Sequence, residues 1–289
     1  MTTPLRVAFI ADIHHGADHM TKRSSLALEL LSKFRDFVEE TKPDLIIDLG
    51  DRISDIDHET DLRLEREVAE ALKPIRQPIH HICGNHDREF LSVAENEEIL
   101  GQRLVNETLD VGGWRIVLWR ADSKIRRPGG FLLTEADMLW LSGVVRNADR
   151  PLLIVSHVPV SGHSQVGHYY FEQNPESSTY YGAERIRSEL SHAKVPVVWV
   201  SGHVHWNTYT PVNGVAHFTI QSLTESFTTF PDVAASWGMM ELGEDFSLKV
   251  HGNDPFEMKV SRKMLMQRWV TRMQTFSEHP EQRIANKQL

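Results

Sequence analysis

The chain has 289 residues, a net charge of −9, 16 histidines and one cysteine, Cys83. One thiol excludes an intramolecular disulfide, a thiolate zinc site and an iron–sulfur cluster, so any bound metal must be held by nitrogen and oxygen. The negative charge argues against a nucleic-acid polymer as partner, because such affinity comes largely from clustered Lys and Arg; no apolar run reaches the roughly 20 residues of a membrane span. The N-terminus runs directly into a strand pattern without an export signal, so a cytoplasmic location is expected.

LRVAFIA (5–11) is an apolar, β-rich run that ends at Asp12. The stretch 23–40 carries Leu26, Leu30, Phe34 and Phe37 at helical spacing. DLIIDLG (44–50) reads as a second buried strand, a charged helical stretch follows at 59–73, and PIHHIC (78–83) is a third strand. Strand, helix, strand, helix, strand predicts parallel βαβ units. WRIVLWRA (114–121), entered through Gly112-Gly113, starts a second sheet; a helix over 133–145 leads to PLLIVS (151–156), and one near 183–192 to VPVVWVS (195–201). GVAHFTIQS, WGMMELG and FSLKVHG supply three more strands. The expected architecture is two packed sheets flanked by helices, with a main domain over 1–255 and a helical tail over 256–289. In that tail Leu265, Trp269, Met273 and Phe276 fall at helical spacing among basic residues, suiting a docking helix, an oligomer contact or a membrane surface. The long connection 157–182 carries His163, His168 and several aromatic residues, which suits a loop facing a substrate or partner.

The polar residues cluster at strand ends. Asp12 and His14 follow the first strand, Asp51 the second, Asn85 and His86 the third, His157 follows PLLIVS, and His203 and His205 follow VPVVWVS. In open α/β sheets ligands bind beyond the carboxyl ends of strands, so these groups should meet in one crevice. Carboxylates, imidazoles and one amide suit Mn²⁺, Fe²⁺/Fe³⁺, Co²⁺ or Zn²⁺, and the set is large enough for two ions sharing a carboxylate. Glycines 50, 84 and 202 precede three of the groups, where the chain must turn sharply.

The ordered set DIH, GD, GNHD, SH and GHVH resembles the calcineurin-like metallophosphoesterase superfamily, over residues 7 to about 221. The resemblance implies a four-layer α/β/β/α sandwich with two mixed sheets and a two-metal centre. It places Asp12, His14, Asp51 and His205 on one metal, and Asp51, Asn85, His157 and His203 on the other. It makes His86 the histidine that contacts the scissile phosphate, with Asn85 beside it; His163 and His168 are further candidates for substrate contact. Two divalent ions against two carboxylates leave a centre of about +2. Such a pair, roughly 3.5–4 Å apart, acidifies a bridging water for in-line attack on phosphate. The resulting expectation is a phosphoesterase acting on a small diester, cyclic nucleotide or glycerol-type. A phosphomonoesterase, or a binding scaffold of the same fold without catalysis, is the alternative, and a homo-oligomer is compatible with either.

Several neighbours of the motifs have open roles. Asp87 orients His86 or sits in the turn; Arg52 and Arg88 pair with phosphate or with other carboxylates; His15 contacts substrate or caps its loop. Asp48, a carboxylate inside an apolar strand, either is exposed to solvent or needs a proton or a partner, for which His81 and His80 are the candidates.

Overall fold

A computed structural model describes residues 3–127 and 129–270. Among them no helix is long and apolar enough to cross a membrane. The chain runs β1 (Leu5–Ile10), α1 (Ala27–Thr41), β2 (Leu45–Asp48), α2 (His58–Leu72), β3 (Ile79–His81), α3 (Val93–Leu100), β4 (Glu107–Val111) and β5 (Trp114–Leu118). It continues β6 (Phe131–Leu132), α4 (Glu135–Arg146), β7 (Leu152–Ser156), β8 (Tyr180–Tyr181), α5 (Ala183–Leu190) and β9 (Val197–Ser201). β10 (Thr208–Val212), β11 (Val215–Thr219), β12 (Trp237–Leu242), β13 (Asp245–His251), β14 (Phe256–Ser261) and α6 (Arg262–Leu265) complete it.

Two six-stranded mixed sheets result, ordered β14-β13-β12-β1-β2-β3 and β10-β11-β9-β7-β5-β4. Strand alternation sends side chains to opposite faces and so separates three cores. Val7, Phe9 and Ile47 meet Ile116, Val155 and Val200 between the sheets. Ala8, Ile10 and Ile46 pack outward on Leu31, Phe34 and Val68 of α1 and α2. Val117, Ile154 and Trp199 pack on Leu141 and Ile186 of α4 and α5. Three cores between four layers make the α/β/β/α sandwich, and burial on both faces explains why the central strands read as continuous apolar runs.

Two elements differ from the sequence reading. Phe256–Ser261 is an edge strand, with Val250 opposite Phe256, and not the start of a tail helix. Phe256, Met258 and Val260 alternate with Glu257 and Lys259, a period of two that outweighs the weaker helical match. Among the described residues after this strand, helix appears at Arg262–Leu265; Met273 and Phe276 lie outside the described residues. Helix α3, which the sequence reading passed over, is marked by a capping box between Ser92 and Glu95.

Under the sheet ends lies a buried charge cluster. The Arg52 guanidinium, fully buried, donates to Asp48 Oδ2 at 2.8 Å, Glu65 Oε1, the Ile82 carbonyl and Asn96 Oδ1, and lies 3.1 Å from Asp87. His81 Nδ1 donates to Asp48 Oδ2 at 2.8 Å, so β2 and β3 are joined by the carboxylate–histidine pair their register allows. Arg52 therefore faces inward, away from any phosphate. Burial pushes Asp48 up, but the charge of Arg52 and the His81 bond outweigh it and bring the carboxyl to about 2. Burial, the largest effect, pushes Glu65 up against the opposing charge of Arg52. Replacing Asp48 by Asn is expected to cost about 3–5 kcal/mol, since it leaves Arg52 short of a buried counter-charge. Because the folded pKa lies below the ordinary 3.8, Asp48's contribution is complete above that value and disappears as pH falls toward 2. Urea melts of wild type and Asp48→Asn should therefore differ most near neutrality and converge in acid.

Candidate metal centre and active site

Five polar groups leave the carboxyl ends of β1, β2, β3, β7 and β9 and converge. Pairing continues past the strands: Asp12 N–H donates to Gly50 O at 3.0 Å and His14 N–H to Asp51 O at 2.9 Å. The backbone is left-handed at Asp12, His14, Asp51, His203 and His205, with φ of 50°, 49°, 55°, 70° and 48°. Each such non-glycine residue costs about 1–3 kcal/mol and persists only where surrounding bonds over-determine it. Those bonds are present. His203 N–H donates to both oxygens of Asp12 at 3.0 and 2.9 Å, and His86 N–H to Asp51 Oδ1 at 2.8 Å. Asp87, fully buried, accepts the N–H groups of Asp51, Arg52 and Gly84 at 2.8–2.9 Å. It anchors two loops and does not contact the His86 ring, whose Nδ1 instead bonds Asp55 Oδ1.

The imidazoles are fixed in orientation by what their outer nitrogens touch. His157 Nδ1–H donates to Leu49 O at 2.8 Å, so the lone pair on Nε2 points at Asp51 Oδ2, 3.3 Å away, and Asn85 Oδ1, 3.2 Å away. His203 Nε2–H donates to Ser177 O at 2.8 Å, which leaves the Nδ1 lone pair buried and without a partner. His205 Nδ1–H donates to Glu225 Oε2 at 2.9 Å, aiming Nε2 at Asp12 Oδ1, 3.5 Å away, and His14 Nε2, 2.8 Å away. Acceptor atoms facing one another call for positive charge between them. Burial disfavours charging His157 and His205, yet the Asp51 and Asp12 carboxylates favour positive charge at these rings, whether proton or metal ion, and raise their pKa values. Burial pushes Asp51 up, but His157, His86 and His14 hold it well below the usual carboxylate range. Burial lowers His203 to about 3, keeping its ring neutral and its lone pair available. Asp12, His14, Asp51 and His205 form one group able to hold a metal ion, and Asp51, His157 and His203 another, with ligand atoms in each within 4.8 Å. Asp51 belongs to both. The donor set and its orphaned lone pairs fit divalent cations.

Calcineurin-like phosphoesterases share a sequence profile that matches residues 5–207. The chain belongs to this family. Two solved structures resemble this phosphoesterase in fold. A dimetal phosphatase from Danio rerio is 15% identical, with a TM-score of 0.71, over 90% of this chain and 99% of that one. TT1561 of Thermus thermophilus is 12% identical, with a TM-score of 0.54, over 87% of this chain and 100% of that one. No curated protein sequence matches.

In this phosphoesterase the site opens into a cavity of about 340 Å³. Asp51, Asn85, His86, His203 and His205 line it, with Met20, Lys22, Ile125, Arg127, Tyr169, Tyr170 and Phe171. The 157–182 connection thus supplies one wall. Its two histidines, His163 and His168, are placed differently. His168 borders the cavity, but Nε2–H donates to Val204 O and Nδ1 accepts from Tyr170 and Phe171 N–H, so both nitrogens are engaged. Burial lowers it to about 4, and the neutral ring acts as a post under the Gly202–His205 turn. His163 faces Trp206, accepts from Gln165 N–H and does not line the cavity. His15 pairs with Glu67 at 2.6 Å, and Arg88 donates to Leu91 O, so neither is directed at the site.

Asp55, Glu225 and Lys22 were missed by sequence reading. Glu225 carried one signal, a carboxylate in the polar run following a buried strand. Burial pushes it up, but the bond to His205 brings it to about 2, so it is ionised.

The glycines explain the close approach. A Cβ at Gly84 would overlap the Asp51 carboxylate, and one at Gly202 would lie 2.6 Å from Asp12 Oδ2. Gly202→Ala is expected to weaken Mn²⁺ uptake by about tenfold or more, roughly 1.4 kcal/mol, read as retained metal after dialysis. Gly143→Ala in α4, where a Cβ meets open space, should leave it unchanged.

Proposed function

We propose that this phosphoesterase hydrolyses a small phosphodiester at a centre of two metal ions. The observation that carries the reading is Asp51, whose carboxylate is common to both ligand groups. Asp12, His14, Asp51 and His205 would hold one ion, and Asp51, Asn85, His157 and His203 the other. The nitrogen and oxygen donors suit Mn²⁺, iron, Zn²⁺ or Co²⁺. Bound there, such ions supply Lewis-acid polarisation of the phosphoryl group and acidification of water near neutral pH.

The chain's own contribution centres on His86. Its Nδ1 is held by Asp55, and Nε2 has no hydrogen-bond partner among the described residues while the ring lines the cavity. Burial pushes Asp55 up, but the hydrogen bond and charge of His86 hold it below its ordinary value. An ionised Asp55 keeps the proton on Nδ1 and leaves Nε2 free to carry and deliver another. From there His86 can stabilise negative charge on the phosphoryl oxygens or protonate the leaving oxygen. Asn85 offers its amide N–H to the phosphate while its carbonyl oxygen faces inward toward His157. The diester preference is supported by the cavity, whose size suits a small molecule. Its apolar lining comes from both halves of the sandwich, Met20 after β1 and Ile125, Tyr169 and Tyr170 after β5 and β7. Two organic substituents can therefore be accommodated.

With Mn²⁺ added, the protein should turn over bis(p-nitrophenyl) phosphate faster than p-nitrophenyl phosphate; metal binding with no turnover of either, or of a panel of natural phosphates, sinks the catalytic reading. His86→Ala is expected to lower kcat by about 10²–10⁴ with full metal content. Loss of metal in that variant contradicts its role. Glu225→Gln should weaken metal affinity about 10–100-fold by releasing His205. Metal counting should show uneven losses, with His203→Ala emptying chiefly the Asn85 side and His205→Ala the His14 side.

A further inference from the structure

Lys22 lies in the cavity wall, facing the same space as Asp51, His86 and His205. It is only half-buried, yet it forms no ion pair or side-chain hydrogen bond among the described residues. Its position is not that of a wandering surface lysine. Lys22 N–H donates to His19 O at 2.9 Å and His19 N–H to Lys22 O at 3.2 Å, closing a tight loop. Arg23 N–H donates to Thr224 O at 2.8 Å and Ser226 Oγ to Thr21 O, so the loop is tied on both sides to the segment carrying Glu225. The side chain is thus presented to the site by a braced backbone.

The surrounding charge gives the ammonium a purpose. The carboxylates acting on Lys22 are Asp51, Glu225, Asp55 and Asp12, while burial, the larger effect, lowers its pKa. Those four negative charges equal the charge of two divalent ions. Once such ions are bound, the carboxylates no longer call for Lys22, and its positive charge is left for an anionic ligand. A phosphodiester at neutral pH carries one negative charge. An ammonium is a compact point charge with three donors, suited to the non-bridging oxygen of a phosphoryl group rather than to a planar bidentate partner.

We propose that Lys22 is a substrate-binding residue, its Nζ donating to a non-bridging oxygen of the scissile phosphoryl group. This inference rests on the reading of the site as a phosphoesterase centre with two divalent ions. Lys22 reaches the site from the connection between β1 and α1 and anchors the anion while His86 attends to the leaving oxygen.

The test uses the full chain loaded with Mn²⁺ and inorganic phosphate as probe, measured by titration calorimetry, with Lys22→Met and Lys22→Arg as variants. A lost hydrogen bond between charged groups corresponds to a weakening of about tenfold to a hundredfold in Lys22→Met. Lys22→Arg should recover part of it. Metal content should stay at the wild-type value in both, and KM for bis(p-nitrophenyl) phosphate should rise in step with the phosphate Kd. Equal phosphate affinity in wild type and Lys22→Met, with metal retained, overturns the proposal. Loss of metal together with phosphate affinity also overturns it, making Lys22 a support of the cradle. Because phosphate binding is measured without turnover, an inactive wild-type protein would sink the catalytic reading while this measurement still decided the role of Lys22.

Discussion

The Asp87 carboxylate, buried and accepting the N–H groups of Asp51, Arg52 and Gly84, is the contact on which the site depends. It closes the loop after β2 onto the loop after β3 and so places the shared Asp51 beside Asn85 and His86. A carboxylate there must have compensation, and the Arg52 guanidinium supplies it from beneath. Arg52 in turn requires Asp48 and Glu65, and Asp48 draws in His81. A buried ion network of this kind contributes little net stability compared with apolar packing, but removing one member is costly because the others stay buried and unpaired. Its value lies in geometry, since Asp48 and Asp87 bond the backbone of the loops that carry Asp51 and Asn85.

Above that network the architecture accumulates demand for positive charge. Three imidazoles have their outer N–H groups committed to Leu49 O, Ser177 O and Glu225, so each turns an acceptor nitrogen inward. Two carboxylates share the space, and five left-handed residues hold the backbone in strained turns. The fold bears this strain because the central strands are buried on both faces and cannot shift without breaking two cores. Cation binding relieves the mutual repulsion of the inward lone pairs. Affinity for metal and the strain of the site are therefore two aspects of one arrangement.

Loops from the two sheets divide the labour. Residues following β1, β2 and β3 bring the carboxylates, His14, Asn85 and His86, whereas those following β7 and β9 bring His157, His203 and His205. The aromatic connection before α5 both lines the cavity and, through Ser177 O and His168, fixes the orientation of the β9 turn. Cavity wall and ligand positioning are thus built from one segment.

Much of this was determined by the sequence alone. The apolar runs mark the central strands because burial on both faces favours apolar residues there and admits a polar one, such as Asp48, only with a partner, and the polar groups at their ends must converge because parallel strands share one carboxyl edge. His203 and His205 illustrate the limit. Their spacing and position after β9 identify them as a pair at the edge, but not which nitrogen of each ring faces inward. That was decided by Ser177 and Glu225, partners 26 and 20 residues away along the chain. The same holds for Asp87 and Asp55, whose roles are opposite to what adjacency suggests: the neighbour of His86 supports the backbone, and a residue 31 positions away holds its ring. Local sequence specifies residue type and period, which is enough for strands, helices and the ligands at their ends. Hydrogen-bond partners, charge compensation and the fate of His163, His168 and the β14 segment depend on distances between loops, and those exist only once the two sheets have packed.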